Sequence, residues 1–225
     1  LRVYDVDSDG MLSDAFILVQ FGFKKNEKAA WVRVEYNPSQ VSPAHYARFE
    51  KFLFDWLNIN LPQMLTKAWV TRLDVCIDVK GVDIEDIAVY AAKKRKTHIV
   101  LGNDGKLETV YLGKRSGNHI RVYDKAREQK VTEQWTRAES SQRWKKNKMP
   151  VANLMQLGNP FLALKIYELT GKSAQLHSSS FNLFKDSVRY RGMKGALKQL
   201  PKSLKKKYMK LLAQHPAPWW QPENF

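Results

Sequence analysis

One segment, residues 68–79, alternates apolar and polar side chains with a period of two and therefore predicts a long β-strand. Its apolar residues, such as Leu73 and Ile77, share one face, while Asp74 and Asp78 lie on the other. Aspartate is disfavoured in strands, so two aspartates on one face need a reason. The segment constrains the fold to a sheet with one face against a core and one polar face.

The order of the predicted elements indicates an α+β domain with a central antiparallel β-sheet, helices packed on one face and a small basic helical C-terminal appendage. Further strands are predicted over residues 15–21, 31–36, 97–101, 108–113, 119–124 and 135–139. Helices are predicted from Ser42 (N-cap) and Pro43 onward, from Asp83 to about Lys94, and over residues 161–170, 193–200 and 203–213. We expect a catalytic domain over residues 1–157 and a DNA-binding appendage over residues 158–225.

The net charge of +16 at pH 7 indicates a polyanionic partner. An anionic membrane surface would instead require a basic amphipathic helix with bulky apolar residues opposite, so we expect no membrane partner. The sequence shows neither a run of 18 apolar residues nor a secretory leader, although it begins at Leu1 and could be a fragment. The single cysteine, Cys76, fits a reducing compartment. Together these features predict a cytoplasmic protein.

Residues 108–124 are predicted to form a hairpin around a polar turn at residues 114–118. Beyond the turn, Tyr123 is flanked by Arg121 and Lys125 on the face away from the core. A phenol placed there can attack phosphorus, and the two cations can neutralise charge that develops on the phosphate oxygens. A plain amphipathic strand with a surface tyrosine would give the same spacing, so both interpretations stay open at this point.

A third predicted strand carries Arg137 and Glu139 on one face. Carboxylate oxygens are the ligands that Mg²⁺ and Mn²⁺ prefer, so Asp74 and Glu139 are candidate metal ligands. Asp78 or His119 could complete such a site. Ion pairs are the alternative, because arginine–glutamate alternation is common on solvated strands. Asp74 could pair with an arginine, and Asp78 could simply end its strand.

Three segments, in this order along the chain, resemble the replication initiation factor family of rolling-circle plasmids and phages, which includes relaxases of some conjugative elements. Residues 72–78 (RLDVCID) look like the acidic central strand of that family. Residues 108–125 (ETVYLGKRSGNHIRVYDK) look like its nucleophile hairpin, and residues 136–139 (TRAE) look like its closing Arg-x-Glu strand. The resemblance extends from about residue 70 to residue 140.

The resemblance implies an enzyme, namely a metal-dependent DNA nicking-closing endonuclease. Tyr123 would attack one strand of origin DNA, form a 5′-phosphotyrosine and leave a 3′-hydroxyl for rolling-circle replication. Arg121 and Lys125 would steady the phosphate. The implied ligands of Mg²⁺ or Mn²⁺ are Asp74, Glu139, Asp78 and His119.

The implied partner is origin DNA, as a single strand or as a hairpin or supercoiled duplex, with a host helicase and DNA polymerase in the bacterial cytoplasm. A homodimer is compatible with this assignment. The basic C-terminal tail suits a grip on duplex DNA. The cations expected to contact DNA are Arg72, Lys114, Arg115, Arg137, Arg189, Arg191, Lys194, Lys205, Lys206 and Lys207.

Several alternatives stay open. A non-catalytic origin binder or repressor would explain the charge but would leave Asp74, Tyr123 and Glu139 without a purpose. An RNA-binding sheet would display aromatic side chains, rather than acids, on its central strands. A conjugative relaxase would share the nicking chemistry. Within the hairpin, Tyr111 is a competing nucleophile, although its neighbours on the same face are uncharged.

Overall fold

A computed structural model describes residues 1–6, 12–24, 29–94, 96–144, 148–170 and 178–224. The chain divides into two compact units, one formed by Leu1–Trp69 with Pro150–Ala152 and the other by Val70–Met149 with Asn153–Phe225. Within the described residues, no helix combines the length and the apolar character needed to cross a membrane. The predicted domain boundary after residue 157 stays a prediction.

The first unit contains a three-stranded antiparallel sheet, in the order β1-β2-β3, and two helices. Its core includes Ile17 and Val19 of the sheet with Phe49 and Leu53 of the first helix. As predicted, Ser42 caps that helix, because its hydroxyl accepts a hydrogen bond from the backbone N–H of His45. The elements are β1 (Arg2–Val6), β2 (Leu12–Lys24), β3 (Ala29–Glu35), α1 (Pro43–Leu57) and α2 (Leu61–Lys67).

The second unit is built on a five-stranded antiparallel sheet in the order β5-β10-β9-β8-β7. The α+β class with an antiparallel sheet is therefore confirmed. The remaining strands are β4 (Trp69–Val70), β5 (Arg72–Lys80), β6 (Ile87–Ala91), β7 (Thr97–Leu101), β8 (Leu107–Gly113), β9 (His119–Asp124), β10 (Trp135–Arg143), β11 (Met149–Pro150) and β12 (Leu164–Glu168). The remaining helices are α3 (Lys125–Gln129), α4 (Ser179–Lys198) and α5 (Lys202–Ala213).

The acidic strand β5 differs from its expected position in two respects. The predicted strand over residues 68–79 is divided at Thr71 into β4 and β5. Within the five-stranded sheet β5 pairs with β10 alone and so forms an edge, whereas β9, which carries Tyr123, is the central strand. The expected central position of the acidic strand was wrong, and the side chains on its apolar face are accordingly only half-buried.

Two predicted helices are strands in the structure. Residues 84–86 form a 3₁₀ turn and the following residues form β6, which pairs antiparallel with β12, where a helix was predicted over residues 161–170. The spacing of Ile84, Ile87, Ala88 and Ala91 fits a helix, and all four are buried. The last three lie in β6, which is covered on both faces. The partner strand lies more than 70 residues away along the chain, so neither short apolar run reveals this pairing by itself.

The five-stranded sheet packs its apolar face, with Val110, Ile120 and Val122, against the paired strands β6 and β12. The far side of that strand pair packs against α4 and α5 through a second apolar cluster. The strand pair and helices α4 and α5 therefore lie on the apolar side of the sheet. The helical C-terminal region was predicted, except that α4 begins earlier, at Ser179, and bends at Gly192.

Candidate active site

The face of the five-stranded sheet opposite the core, called the polar face below, consists of alternate side chains that the strand register brings into cross-strand rows. One row contains Asp78, Arg137, Tyr123 and Thr109. The next contains Cys76, Glu139, Arg121, Tyr111 and His98. A third contains Asp74, Ser141, His119 and Gly113. The three sequence segments identified above are thus brought together on one surface.

Arg121 and Glu139 form a two-pronged ion pair at the middle of the polar face. The Nε and Nη2 atoms of Arg121 donate hydrogen bonds of 2.9 and 2.7 Å to the two carboxylate oxygens of Glu139. Burial alone would lower the pKa of Arg121, but the hydrogen bonds and charge of Glu139 raise it well above its ordinary value. The side chain of Glu139 is only 10% exposed. The pair is thus a fixed, charge-assisted contact rather than a loose surface bridge.

Tyr123 lies under this pair and is largely shielded from solvent. Its relative exposure is 5%, and the guanidinium of Arg121 lies 4.4 Å from its ring centroid. Burial raises the pKa of Tyr123 to about 12, although the positive charge of Arg121 opposes the shift. The phenol therefore keeps its proton at neutral pH in the conformation described. For Tyr123 to act as a nucleophile, a proton acceptor and access to the phenol are both required.

Asp78 is held by β10 at three points. It accepts hydrogen bonds of 2.6 Å from both Nε and Nη2 of Arg137, and one of 2.7 Å from the indole N–H of Trp135. Burial would raise the pKa of Asp78, but these hydrogen bonds outweigh it and hold the pKa below its ordinary value. Arg137 is therefore fixed on the strand that neighbours Tyr123, in the same row. The predicted role of Asp78 as a metal ligand stays a prediction.

Asp74 is held in a similar way at the other end of β5. It accepts hydrogen bonds of 3.0 Å from Nε of Arg72 and 2.6 Å from the hydroxyl of Ser141. Burial by itself would raise the pKa of Asp74, but these hydrogen bonds outweigh it and keep the pKa below its ordinary value. Asp74 thus stays ionised at neutral pH. Both aspartates pair with arginines, an alternative that the sequence left open for Asp74. The alternative that Asp78 simply ends its strand was wrong, because β5 continues to Lys80.

The predicted metal ligands lie on one surface but do not converge on a point. Among the described residues, no three histidine, cysteine, aspartate or glutamate side chains are grouped closely enough to hold a metal ion. Asp74, Glu139 and His119 do lie around Ser141 on neighbouring strands, and their donor atoms suit Mg²⁺ or Mn²⁺. The residue types therefore fit a divalent cation. A cation there would compete with Arg121 for Glu139 and with Arg72 for Asp74.

Lys125 does not continue the strand alternation as expected. Strand β9 ends at Asp124, whose carboxylate accepts a 2.9 Å hydrogen bond from the backbone N–H of Arg127 and caps α3. Lys125 is consequently the first residue of that helix, and its ammonium group pairs with Glu128. Its Nζ atom lies 5.8 Å from the ring centroid of Trp135, next to the row that contains Tyr123. Lys125 therefore lies near the site because of its position in α3, and not because of the strand alternation.

Tyr111 lies in a group of rings and cations at the β7 side of the polar face. Its ring centroid is 6.0 Å from that of His98 and 5.9 Å from that of His119, and the guanidinium of Arg115 lies 4.5 Å from it. His98 was not among the predicted site residues. The alternation of residues 97–101 does place it on the polar face, so the signal was present.

The remaining predicted DNA contacts are distributed over the second unit. Lys114 and Arg115 are exposed in the turn between β8 and β9. Lys194 donates hydrogen bonds of 2.8 and 2.6 Å to the carbonyl oxygens of Ala92 and Lys94, which anchors α4. The other predicted cations of the tail lie outside the sheet. The Nη1 atom of Arg189 lies 3.7 Å from Oδ1 of Asp186. Four further cations are exposed, namely Arg191 and, in α5, Lys205, Lys206 and Lys207.

The two units differ sharply in charge. Residues 1–69 contain eight basic and eight acidic side chains and are neutral. Residues 70–225 therefore carry the whole net charge of +16. The polar face and the basic helices belong to the same unit, so attraction for a polyanion is concentrated there.

The chain is similar in sequence to replication initiation proteins of Staphylococcus aureus. One is 33% identical over 117 residues, which is 50% of this chain and 34% of that protein. Another is 35% identical over 100 residues, which is 44% of this chain and 29% of that protein. The matches thus span about a third of the length of these relatives. No protein-family model matches the chain.

A solved structure of a rolling circle replication initiator protein from Geobacillus stearothermophilus overlaps 56% of this chain and 59% of that chain, at 16% identity and a TM-score of 0.32. That likeness is too weak to support an inference. The sequence matches confirm the expected relationship by themselves. Over about half of its length, this chain is a homologue of replication initiation proteins.

Proposed function

We propose that this chain is the catalytic part of a rolling-circle replication initiator, which nicks one strand of origin DNA through Tyr123. The observation that carries the proposal is the row geometry of the polar face. It places a tyrosine on the central strand between Arg137 and Thr109, directly beside the Arg121–Glu139 pair. The sequence relationship to replication initiation proteins supports the same assignment. The proposed setting is the cytoplasm of a bacterial host.

The proposed reaction is a transesterification. The phenol of Tyr123 gives up its proton to a base or to solvent, and its oxygen forms a bond to phosphorus while the bond from phosphorus to the 3′ oxygen breaks. The 3′ oxygen takes up a proton and leaves as the 3′-hydroxyl. Arg121 and Arg137, on either side of Tyr123, can neutralise the charge that develops on the non-bridging phosphate oxygens. The 3′-hydroxyl would then be extended by a host polymerase after a helicase opens the duplex.

Mg²⁺ or Mn²⁺ is part of the proposal. Asp74 and Glu139, with His119, would hold the ion, which when bound would polarise the scissile phosphate. Nδ1 of His119 lies 3.0 Å from the carbonyl oxygen of Gly117, so Nε2 is the nitrogen available to a metal. We expect Asp74 to be ionised at neutral pH, because its hydrogen bonds with Arg72 and Ser141 outweigh burial and hold its pKa low.

A non-catalytic origin-binding protein is the second candidate function. The observation in its favour is the burial of Tyr123, which is 5% exposed and whose pKa is raised to about 12. Such a protein would use the positive charge of the second unit to bind DNA without cutting it. Nicking and binding can be separated in one experiment.

The test is adduct formation on a denaturing gel with labelled single-stranded or supercoiled origin DNA from the replicon that encodes the chain. We expect the wild-type protein to become covalently joined to DNA when Mg²⁺ or Mn²⁺ is present and not when EDTA is added. Tyr123→Phe should bind the same DNA and form no adduct, whereas the control Tyr111→Phe should form it. An adduct with Tyr123→Phe would refute the nucleophile, and binding without any cutting would favour the non-catalytic function.

A further inference from the structure

A cleft of about 620 Å³ opens at the β7 side of the sheet, between the start of β7 and the turn that joins β8 to β9. Its volume lies in the range of ligand sites that accommodate a nucleotide-sized molecule. Three cationic side chains line it, and none of its lining residues that the structure describes is a carboxylate. The residues that line it are Lys96, Thr97, His98, Gly113, Lys114, Arg115 and Ser116.

Within the described parts of the chain, the cations of this cleft have no anionic partner. No ion pair between residues that the structure describes involves Lys96, Lys114 or Arg115. Elsewhere on the same sheet, by contrast, Arg72, Arg121 and Arg137 are each matched by a carboxylate. Like charges around one cavity repel each other unless an anion binds between them. The cleft is therefore suited to an anion, whereas Arg72, Arg121 and Arg137 are already neutralised.

Aromatic rings next to the cleft suit the base of a nucleotide. The guanidinium of Arg115 stacks on Tyr111 at 4.5 Å, which restrains a side chain that would otherwise sample many rotamers. The exposed ring of His98 lies beside Tyr111 and also lines the cleft. A cationic groove combined with aromatic faces is the arrangement by which proteins bind unpaired strands.

The turn that forms the cleft depends on Gly113. Its φ of +109° is a conformation that other residues rarely adopt. A Cβ atom there would lie 2.9 Å from the carbonyl oxygen of Asn118. Its backbone N–H donates a 2.8 Å hydrogen bond to the carbonyl oxygen of Lys96, which joins the two sides of the cleft. The cleft is thus a built feature of the sheet edge.

The cleft belongs to the same surface as Tyr123 but does not overlap it. Gly113 is four residues beyond Thr109, the β8 partner of Tyr123. At about 3.3 Å per residue along a strand and about 4.8 Å between strands, the separation is about 14 Å. A single strand whose phosphate lies at Tyr123 could therefore reach the cleft with a nucleotide a few positions further along the same strand.

We propose that this cleft binds a nucleotide of single-stranded DNA that flanks the nick site, with its phosphate between Lys96, Lys114 and Arg115. The proposal rests on the proposed function, since it names a subsite for the same DNA. It assigns the two lysines to a phosphate and the rings of Tyr111 and His98 to a base.

The test is the salt dependence of binding to fluorescein-labelled (dT)12, followed by fluorescence anisotropy with the full chain. For single strands, each phosphate contact contributes about 0.7 to the slope of log K against log salt. Lys96→Ala/Lys114→Ala should reduce that slope by up to about 0.7, because both lysines contact one phosphate, and weaken binding by about tenfold at low salt. Lys96→Arg/Lys114→Arg, which keeps both charges, should retain most of the affinity.

The matched control is Lys106→Ala/Lys165→Ala, which removes two exposed lysines outside the cleft, one of them at the opposite end of the β7–β8 hairpin. Equal slopes for the cleft variant and this control would overturn the proposal. So would an equal loss of affinity for a duplex, because the site would then not be specific for a single strand. If the cleft variant shows the reduced slope but the wild-type protein forms no adduct, the proposed subsite stands and the proposed nicking function fails. If the wild-type protein forms the adduct but the cleft variant leaves the slope unchanged, the nicking function stands and the subsite fails.

Discussion

Arg121 holds Glu139 through two hydrogen bonds across neighbouring strands, and the same guanidinium covers the ring of Tyr123. The planar fork of an arginine binds carboxylates and phosphates with the same two-pronged geometry. A phosphate that approaches Tyr123 would therefore compete with Glu139 for Arg121. Release of Glu139 would in turn make its carboxylate available to a cation. In the proposed function, the pair would thus link exposure of the tyrosine, phosphate binding and metal binding in one contact.

The first prediction concerns Glu139→Gln. The substitution removes the negative charge that helps to raise the pKa of Tyr123 and leaves Arg121 without a charged partner. We expect the pKa of Tyr123 to fall from about 12 and the free energy of unfolding to fall by about 1–3 kcal/mol. The measurements are NMR titration of ¹³C-labelled tyrosine rings, with Tyr123→Phe to assign the signal, and urea denaturation.

The control for this substitution is Glu133→Gln. Glu133 also pairs with a cation, Lys80, but its side chain is 56% exposed and lies away from Tyr123. Exposed pairs of this kind contribute less than about 1 kcal/mol. If Glu133→Gln lowered the pKa of Tyr123 as much as Glu139→Gln, the fall in pKa could not be assigned to the charge of Glu139.

The second prediction follows from the raised pKa of Tyr123. A tyrosine in an unfolded chain ionises near 10, whereas Tyr123 ionises near 12 in the folded state. The folded state therefore holds the proton more tightly, so its contribution to stability is complete below pH 10 and is lost as pH rises through 12. Between these values the wild type should lose on the order of 2 kcal/mol more stability than Tyr123→Phe. Urea denaturation from pH 9 upward measures the difference, with Tyr190→Phe, at an exposed position, as control.

The third prediction concerns Asp78→Asn. This substitution weakens the hydrogen bonds from Arg137 and Trp135 and should lower the free energy of unfolding by about 1 kcal/mol at pH 7. The value is modest because the Asp78 side chain is 36% exposed and solvent screens the pair. Since the pKa of Asp78 is lowered on folding, the contribution is present above the ordinary value of 3.8 and is lost as pH falls through the folded-state pKa.

Urea denaturation at pH 7 and at pH 2 checks this third prediction. The gap between wild type and Asp78→Asn should close at the lower pH. Asp55→Asn is the control, because Asp55 forms an exposed pair with Lys51 within α1, and its loss should matter less. A gap that persists unchanged at pH 2 would contradict the assignment of the effect to the Asp78 carboxylate.

Much of the site could be predicted because a strand alternates its side chains between two faces. That rule placed Asp74, Asp78 and Arg121 correctly on the polar face without knowledge of the strand order. The rule fails where the strand ends. Asp124 caps a helix instead of continuing β9, so Lys125 leaves the alternation. Nothing in the spacing of residues 119–125 separates these two outcomes.

The pairing of distant segments was harder to predict. Strand β5 joins the sheet through β10, about 60 residues away, and this order places it at an edge. Strands β6 and β12 are each five residues long, and the burial of β6 on both faces removes the alternation that identifies a strand. The partners of Arg121 and Asp78 also depend on this register. Sequence patterns show which side chains share one face of a strand, whereas the pairing of the strands decides which side chains come into contact.

The fourth prediction concerns Gly192→Ala. Gly192 interrupts α4 with φ +67° and ψ 167°, a conformation that is essentially restricted to glycine. A Cβ atom there would also lie 2.5 Å from the methyl group of Thr97 at the start of β7. We expect Gly192→Ala to cost at least about 2 kcal/mol and to lower the Tm. Gly158→Ala is the control, because a Cβ at Gly158 meets nothing within 4 Å. Equal Tm values for the two variants would show that the kink is not strained by a side chain.

The last prediction concerns the basic surface of α5. Its buried side, with Tyr208, Leu211 and Leu212, packs on α4, and its lysines face solvent. In the described part of the chain no ion pair involves Lys205, Lys206 or Lys207, so all three are available to phosphates. For duplex DNA each phosphate contact contributes about 0.9 to the salt slope, so replacing the three lysines with alanine should reduce that slope by up to about 2.7.

Anisotropy with a labelled duplex, titrated at several salt concentrations, measures this slope. The control is Lys51→Ala/Lys67→Ala in the neutral first unit, and it should leave the salt slope unchanged. Because the control removes two lysines and the α5 variant removes three, the change in slope is compared for each lysine removed. The lysines of the sheet-edge cleft provide a second comparison, because their removal should affect the single strand and not the duplex. An unchanged duplex slope for the α5 variant would mean that these lysines only keep the helix surface solvated. The duplex would then have to be bound elsewhere on the second unit.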